Sequence, residues 1–202
     1  MARWTPDARS RLAQAALALY VEHGFEQTTV AEIAGRAGLT ERTFFRHFAD
    51  KREVLFGGSA VLETGLVAAV AQVPDGPPLD MVVAALEAAG SFFDDDRRAW
   101  SGQRQRVIEA NASLLERELI KLHALGGALA GALVRRGAPE PAATLAAQAG
   151  LVVFWQAFGR WCHADHPADW IATVRQVRRE LEAVVTEDGP PDRKAGDRDE
   201  RS

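Results

Sequence analysis

Cationic and hydroxyl side chains are concentrated between residues 40 and 51, in the stretch TERTFFRHFADK. Arginine, histidine, lysine and threonine side chains donate hydrogen bonds to phosphate oxygens, and arginine and threonine can also contact the edges of bases. The same stretch contains three phenylalanines, whose spacing separates an apolar face from a polar one. These residue types predict a surface that contacts a phosphate-bearing partner.

The sequence gives little support for catalysis or metal binding. Cys162 and His163 are the only Cys–His pair, and neighbours on a helix point about 100° apart, so they are poorly placed as nucleophile and base. His166 and Asp169 have a spacing that could share a metal, but polar residues are typical of the helix end predicted there. The glycines of residues 126–131 lack the spacing of a phosphate-binding loop. We therefore expect no enzyme activity, no metal and no cofactor.

The 202-residue chain is mildly acidic, with a formal net charge of −4. Residues 1–51 contain seven Arg or Lys and six Asp or Glu, so this segment carries +1 and the remainder −5. A single cysteine and a charged N-terminus without an apolar core are typical of a cytoplasmic protein. Residues 141–159 carry no charge, but their polar side chains share one helical stripe, which favours a buried amphipathic helix over a membrane span.

Helix-capping residues divide the first part of the chain into short helices. Thr5 and Pro6 predict the start of a first helix, because threonine is a favoured N-cap and proline a favoured first helical residue. Thr29 and Thr40 are predicted to cap a second and a third helix. Asp50 is predicted to cap a fourth, long helix that runs to about Val73.

Helical periodicity continues through the rest of the chain, and no convincing strand pattern occurs. The sequence predicts an all-α protein of about nine helices, with an N-terminal three-helix DNA-binding domain of the helix-turn-helix type in residues 1–50. Residues 51–187 are predicted to form a C-terminal helical domain. Residues 188–202 contain almost no apolar side chains and are predicted to be disordered.

Two short helices joined by a tight turn that contains glycine form a helix-turn-helix unit, whose second helix enters the major groove of DNA. Residues 16–56, ALALYVEHGFEQTTVAEIAGRAGLTERTFFRHFADKREVLF, contain such a unit. This stretch resembles the DNA-binding domain of the TetR family of transcriptional regulators, and the nine-helix layout resembles that family over residues 1–187. The resemblance implies that the first three helices bind DNA and that the others bind a small ligand and form a homodimer.

The TetR resemblance also assigns DNA contacts. Thr43 resembles the base-contacting position of the family, and four residues resemble its phosphate contacts, namely Thr29, Thr40, His47 and Lys51. Lys51 is expected in the first turn of the fourth helix, where its ammonium and the free backbone N–H groups would bind a phosphate together.

Three further side chains of the third helix are expected near the DNA. Phe45 stands where the family usually has tyrosine, so it can contact a thymine methyl or a sugar but cannot donate a hydrogen bond to phosphate. Arginine is the commonest reader of guanine, and we assign Arg42 to a base and Arg46 to the backbone. Phe44 and Phe48 are expected in the core.

A ligand pocket is predicted in the C-terminal domain from clustered aromatic residues. The candidates are Phe92, Phe93, Trp100, Phe154 and Phe158, with Arg104 and Asn111 as polar groups. Aromatic residues at helical spacing are also typical of an ordinary core, and a mostly apolar cavity with few polar groups is what a small ligand requires.

The identity of the effector stays open at this point. Residues 100–122, WSGQRQRVIEANASLLERELIKL, resemble a TetR subgroup associated with acyl-coenzyme A, including regulators of the mycofactocin type. Arginines would suit the phosphates of coenzyme A, whereas the apolar interior would equally suit a hydrophobic drug or natural product.

The last two long helices are predicted to form the interface of a homodimer. Their apolar faces contain Leu145, Val152, Trp155, Trp170, Val174 and Val177. Together with the TetR resemblance, this interface implies a dimeric repressor that binds a near-palindromic double-stranded operator and is released by a small-molecule effector, with no membrane partner. The alternative is a helical dimer that acts as a ligand-independent architectural or partner-binding protein.

Overall fold

The structure is a computed structural model that describes residues 7–163 and 169–186. Those residues form nine α-helices and no strand, which confirms the all-α fold class. Thr5, Pro6, His166 and the predicted disordered tail lie outside the described residues. The helices are α1 Ala8–His23, α2 Val30–Arg36, α3 Glu41–His47, α4 Ser59–Gln72, α5 Pro78–Ala88, α6 Asp95–Glu109, α7 Ala112–Arg135, α8 Glu140–His163 and α9 Trp170–Thr186.

Side-chain caps set the starts of the first three helices. Asp7, rather than Thr5, caps α1, because its carboxylate accepts from Ser10 N at 2.7 Å. Thr29 and Glu32 form a reciprocal capping box at α2, and Thr40 accepts from Thr43 N at α3. These caps satisfy backbone N–H groups that a helix start would otherwise leave without partners.

The fourth helix predicted from Asp50 to Val73 is broken in the structure. Asp50 accepts from the backbone N–H groups of the next turn, but the chain then forms a short 3-10 segment, Glu53–Phe56, and α4 begins only at Ser59. The core of the N-terminal unit, which α1, α2 and α3 form, buries three residues of this segment, namely Val54, Leu55 and Phe56. This burial fixes the 3-10 segment on α1, and two glycines at 57 and 58 separate it from α4.

Helix α8 lies at the centre of the C-terminal body, packed against α5, α7 and α9. A Cβ atom on Gly150 would lie 2.3 Å from Val82 Cγ1, so glycine is what allows α5 and α8 to approach so closely. The body core includes Val153 and Trp161 of α8, both fully buried. A second core lies beneath the helix-turn-helix. It also includes Ile108 of α6 and Leu114 of α7.

Two segments, Glu53–Gln72 and Glu140–His163, are long and apolar enough to cross a membrane by length and composition alone. Core helices of globular proteins pass the same test. The buried side chains of α8 agree with the amphipathic core helix expected from the sequence.

Candidate DNA-binding surface and ligand pocket

Helix α3 presents a polar outer face while its inner face anchors it. Phe44 is fully buried and Phe48 nearly so, which leaves Arg42 and Arg46 exposed on the outside. The Thr40 hydroxyl accepts from Thr43 N at 3.2 Å and lies 3.1 Å from the Thr43 hydroxyl. The cap therefore holds Thr43 at the N-terminal end of α3, the part of a recognition helix that reaches base edges.

Phe45 lies on the same outer face, with 56% of its surface exposed. Its ring meets that of Phe44 edge to face, at a centroid distance of 5.4 Å. A large apolar side chain held outward in this way can make apolar contact with a thymine methyl. Thr29, at the start of α2, is also exposed, but its hydroxyl donates to Glu32 Oε2 at 2.8 Å, so a phosphate contact through that hydroxyl requires it to turn away from Glu32.

His47 is less available than the sequence predicts. The residue is only half-buried, but its Nε2 atom is buried and has no hydrogen-bond partner among the described residues. The predicted phosphate contact of His47 therefore needs the other ring nitrogen or a turn of the ring.

Lys51 departs most clearly from its predicted placement. It lies in a turn rather than in the first turn of a helix. Its ammonium donates to the carbonyl oxygens of Phe25, Glu26 and Thr28 at 2.9, 3.0 and 3.1 Å, and lies 4.5 Å from the centre of the Phe25 ring. An ammonium has three N–H donors. All three are used on the loop between α1 and α2, so the structure leaves none for a phosphate.

A second contact ties Lys51 to the same unit. The Tyr20 hydroxyl donates to the Lys51 carbonyl oxygen at 2.6 Å. Burial raises the pKa of Tyr20 above its ordinary value, and the charge of Asp50 adds to the shift, so the phenol stays a donor. Together these bonds hold the chain after α3 against the loop that precedes α2.

A cavity of about 750 Å³ lies where the N-terminal unit meets the body. This volume is in the range of small-molecule sites. Six of the seven residues predicted for the pocket line it, namely Phe92, Phe93, Trp100, Arg104, Phe154 and Phe158. Asn111 is not among its lining residues. It precedes α7, and its side-chain amide donates to the Val107 carbonyl oxygen at 2.6 Å.

An ion pair is buried in the pocket wall. Arg104 Nη2 lies 3.0 Å from Glu118 Oε1, and Arg104 Nε donates to the Leu55 carbonyl oxygen at 2.6 Å. Burial lowers the pKa of the Arg104 guanidinium, and the Glu118 carboxylate opposes that shift. Glu118 was not among the residues predicted for the pocket, because a glutamate on a helix is ordinarily exposed. The spacing of Glu118 from Leu114 and Leu122, four residues on either side, indicated that it shares their inner face.

The pocket wall also includes parts of the DNA-binding unit. Ser10, Ala13 and Gln14 of α1 line it, together with Leu55 and Phe56 of the 3-10 segment. Helix α6 packs against both α1 and α7. A ligand in this cavity would therefore touch the first DNA-binding helix directly.

The six residues predicted for a dimer interface separate into three groups. Leu145 and Val152 of α8 are 72% and 51% exposed, as an interface requires. Trp155 instead lines the ligand pocket. Three residues of α9, Trp170, Val174 and Val177, are buried within one chain, so the prediction that they form a dimer surface is wrong.

Trp170 shows the reason for this correction. Its ring stacks on Phe93 at a centroid distance of 3.7 Å, and its indole N–H donates to the Leu86 carbonyl oxygen at 2.7 Å. The apolar face of α9 is thus covered by α5 and α8 of the same chain.

In the described residues no group of three or more His, Cys, Asp or Glu side chains could hold a metal.

These features are those of a helix-turn-helix DNA-binding unit joined to a helical body that contains a pocket. The family described as bacterial regulatory proteins, tetR family, matches residues 12–56. TcmR, a transcriptional regulator of Streptomyces glaucescens, is 32% identical over 134 residues, 63% of this chain and 59% of that protein. MftR of Mycobacterium tuberculosis, named for mycofactocin biosynthesis, is 28% identical over 97 residues, 48% of this chain and 49% of that protein. The chain spans about half the length of the curated relatives it matches.

Solved structures agree on the fold. The complex of SmeT with triclosan has a TM-score of 0.60 at 20% identity and covers 86% of this chain and 90% of its own. FadR of Bacillus subtilis with stearoyl-CoA has a TM-score of 0.56 at 18% identity, and the match covers 88% of this chain and 97% of that chain. Residues 12–56 therefore form a helix-turn-helix domain of the tetR family, and the described helices share the fold of these solved structures.

Proposed function

We propose that the chain is a ligand-released repressor that acts in the cytoplasm as a homodimer on a near-palindromic operator. The observation that carries this proposal is the position of the cavity, whose wall includes Ser10 and Gln14 of α1. A regulator that responds to a ligand needs a site whose occupancy alters the DNA-binding unit. Because the DNA-binding unit forms part of the cavity wall, a bound ligand can act on that unit directly, with no other helix between them.

The DNA contacts follow from the outer face of α3 and the start of α2. We assign Thr43 and Arg42 to bases, Phe45 to a thymine methyl or sugar, and Arg46, Thr29 and Thr40 to phosphates. His47 is assigned to a phosphate through its Nδ1 atom. We reassign Lys51 from phosphate binding to positioning, because its donors bind the α1–α2 loop.

The homodimer is proposed to form through the exposed side of α8, where Leu145 and Val152 lie. A two-fold dimer places its recognition helices about one DNA turn apart, roughly 34–36 Å, or a little more. Ligand in the pocket would push α1 and the 3-10 segment and change that spacing. A coupling of about 1–3 kcal/mol would weaken operator binding about 5- to 150-fold.

An aromatic drug or natural product is the effector class that the pocket supports best. Its walls are rich in aromatic rings, and rings pack favourably against a planar ligand. An acyl-coenzyme A brings phosphates that need free cations, whereas Arg104 and Lys121 are already paired with carboxylates. We retain acyl-coenzyme A as the competing effector in the experiment.

The test is fluorescence anisotropy of the purified protein on labelled DNA from upstream of its own coding sequence, against a scrambled fragment. Specific binding should then be reversed by aromatic compounds and not by acyl-coenzyme A thioesters. Arg42→Ala should weaken operator binding, whereas Arg179→Ala, an exposed arginine on α9, serves as the matched control and should not. Equal affinity for both fragments would support the architectural alternative and reject the repressor.

A further inference from the structure

The charged side chains around the pocket differ in how much of their hydrogen-bonding capacity is used. The cations in its wall each have a carboxylate partner: Arg104 with Glu118 at 3.0 Å, Lys121 with Glu53 at 3.5 Å, and Arg97 with Asp94 at 3.5 Å. Arg104 also donates to a backbone carbonyl. Each of these cations therefore has its charge balanced by a carboxylate of the protein, and Arg104 is the one held within ordinary hydrogen-bond distance of its partner.

The two carboxylates in the wall, by contrast, have unused acceptors. Glu118 is 6% exposed, and its Oε2 atom is buried without a hydrogen-bond partner, while Oε1 faces Arg104. Glu63 of α4 is half-buried, and in the part of the chain that the structure describes its carboxylate forms no hydrogen bond or ion pair. Oε2 has almost no accessible surface, so the Glu118 carboxylate must turn to bring it to the cavity. Because a charged acceptor buried without a donor is costly, a donor in the cavity would favour that turn.

Resting on the effector pocket proposed above, we infer that the effector is an aromatic compound that carries an O–H or N–H donor, and that Glu118 Oε2 accepts from it. Glu63 is the second acceptor. Glu118 lines the same cavity as Phe154 and Phe158, so the aromatic part of the effector packs on rings while its donor meets the carboxylate. An aryl methyl ether offers an acceptor only and leaves both carboxylates unsatisfied.

The decisive comparison uses three fluorescent probes that differ only at one substituent: 1-hydroxypyrene, 1-methoxypyrene and 1-pyrenemethylammonium. Their affinities for the full-length wild-type protein, without DNA, are measured by probe anisotropy at neutral pH. The hydroxyl probe should bind about 10- to 100-fold more tightly than its methyl ether, the range for a hydrogen bond to a charged group. This comparison needs no variant, so it stands even if a substitution disturbs folding.

Glu118→Gln tests the residue, because it keeps the shape and removes the charge of the acceptor. The preference for hydroxyl over methoxy should fall to a few-fold, since charge-assisted hydrogen bonds are about twice as strong as neutral ones. Glu116→Gln is the matched control. It is the same substitution at an exposed position two residues earlier on α7, and it should leave the preference unchanged.

The outcomes separate the inference from the proposed function. Equal affinities of the hydroxyl and methoxy probes, or an unchanged preference in Glu118→Gln, would overturn the inference while leaving the pocket as an effector site. Failure of every probe to bind would overturn both the inference about Glu118 and the assignment of this cavity as a site for aromatic effectors. Tighter binding of the ammonium probe than of the hydroxyl probe would assign the donor to a cationic amine. Tighter binding of the hydroxyl probe would assign it to a neutral hydroxyl. Either order supports an effector that donates a hydrogen bond to Glu118.

Discussion

Replacing Lys51 with methionine separates the positioning role of this residue from the phosphate contact that the sequence predicts. Methionine keeps most of the apolar stem and removes the ammonium, with its three hydrogen bonds to the carbonyls of Phe25, Glu26 and Thr28. It also removes the cation from the face of the Phe25 ring. The variant therefore tests whether the ammonium holds the α1–α2 loop or binds DNA.

The expected loss of stability can be worked from these contacts. Each hydrogen bond contributes about 0.5–1.5 kcal/mol net, and an exposed cation–π contact about 0.5–1 kcal/mol. The Glu26 carbonyl is exposed and regains water in the variant, so its share is small. We expect the free energy of unfolding to fall by about 2 kcal/mol, which for a chain of this size lowers Tm by roughly 4–8 °C.

The assays are thermal unfolding at fixed protein concentration and operator anisotropy over a salt series. Operator affinity of Lys51→Met should fall by a similar factor at every salt concentration, because the loop before α2 loses its anchor while no phosphate contact is lost. Arg46→Met, which removes an exposed cation of α3, should instead reduce the slope of log affinity against log salt by about 0.9. A similar loss of slope in Lys51→Met, with stability unchanged, would refute the positioning role.

Four further predictions concern the recognition helix, the dimer, the pocket and the buried thiol. Thr43→Ala should cost about 1–3 kcal/mol of discrimination at one operator base pair, measured by anisotropy on single-base operator variants. Leu145→Glu with Val152→Glu should convert the proposed homodimer to a monomer in sedimentation velocity, because charge replaces the exposed apolar side chains of α8. Trp155→Ala should weaken 1-hydroxypyrene binding about tenfold, since a ring is lost from the pocket wall. Burial raises the pKa of Cys162 to about 12, so the thiol should resist iodoacetamide at pH 8 in the folded protein and react on unfolding, as followed by mass spectrometry.

Local features of the fold could be predicted from the sequence, because they depend on residues three or four positions apart. The capping box at Thr29 and the cap at Thr40 are of this kind. The position of Phe44 on the inner face of α3 also follows from helical period, and Phe48, the residue that ends the helix, is buried beside it. Such interactions need no knowledge of what packs against the helix.

Contacts between distant parts of the chain could not be predicted in the same way. Lys51 finds its carbonyl partners more than twenty residues earlier, in a loop whose path depends on how α1 and α2 pack. Periodicity shows that α9 has an apolar face, but not that α5 and α8 of the same chain cover Trp170 and Val174. Because one chain and a second copy can cover an apolar face equally well, pattern alone does not assign an interface.

The contribution of α1 to the pocket wall has a consequence for exchanging parts between relatives. Ser10, Ala13 and Gln14 lie in the N-terminal segment that a chimera divided after residue 50 would transfer to another regulator. With this cavity as the effector site proposed above, such a chimera would carry the operator preference of its donor together with a portion of the donor's effector selectivity. The two proposed specificities would then be inherited in part together, and a clean exchange would require the pocket-facing side chains of α1 to be restored.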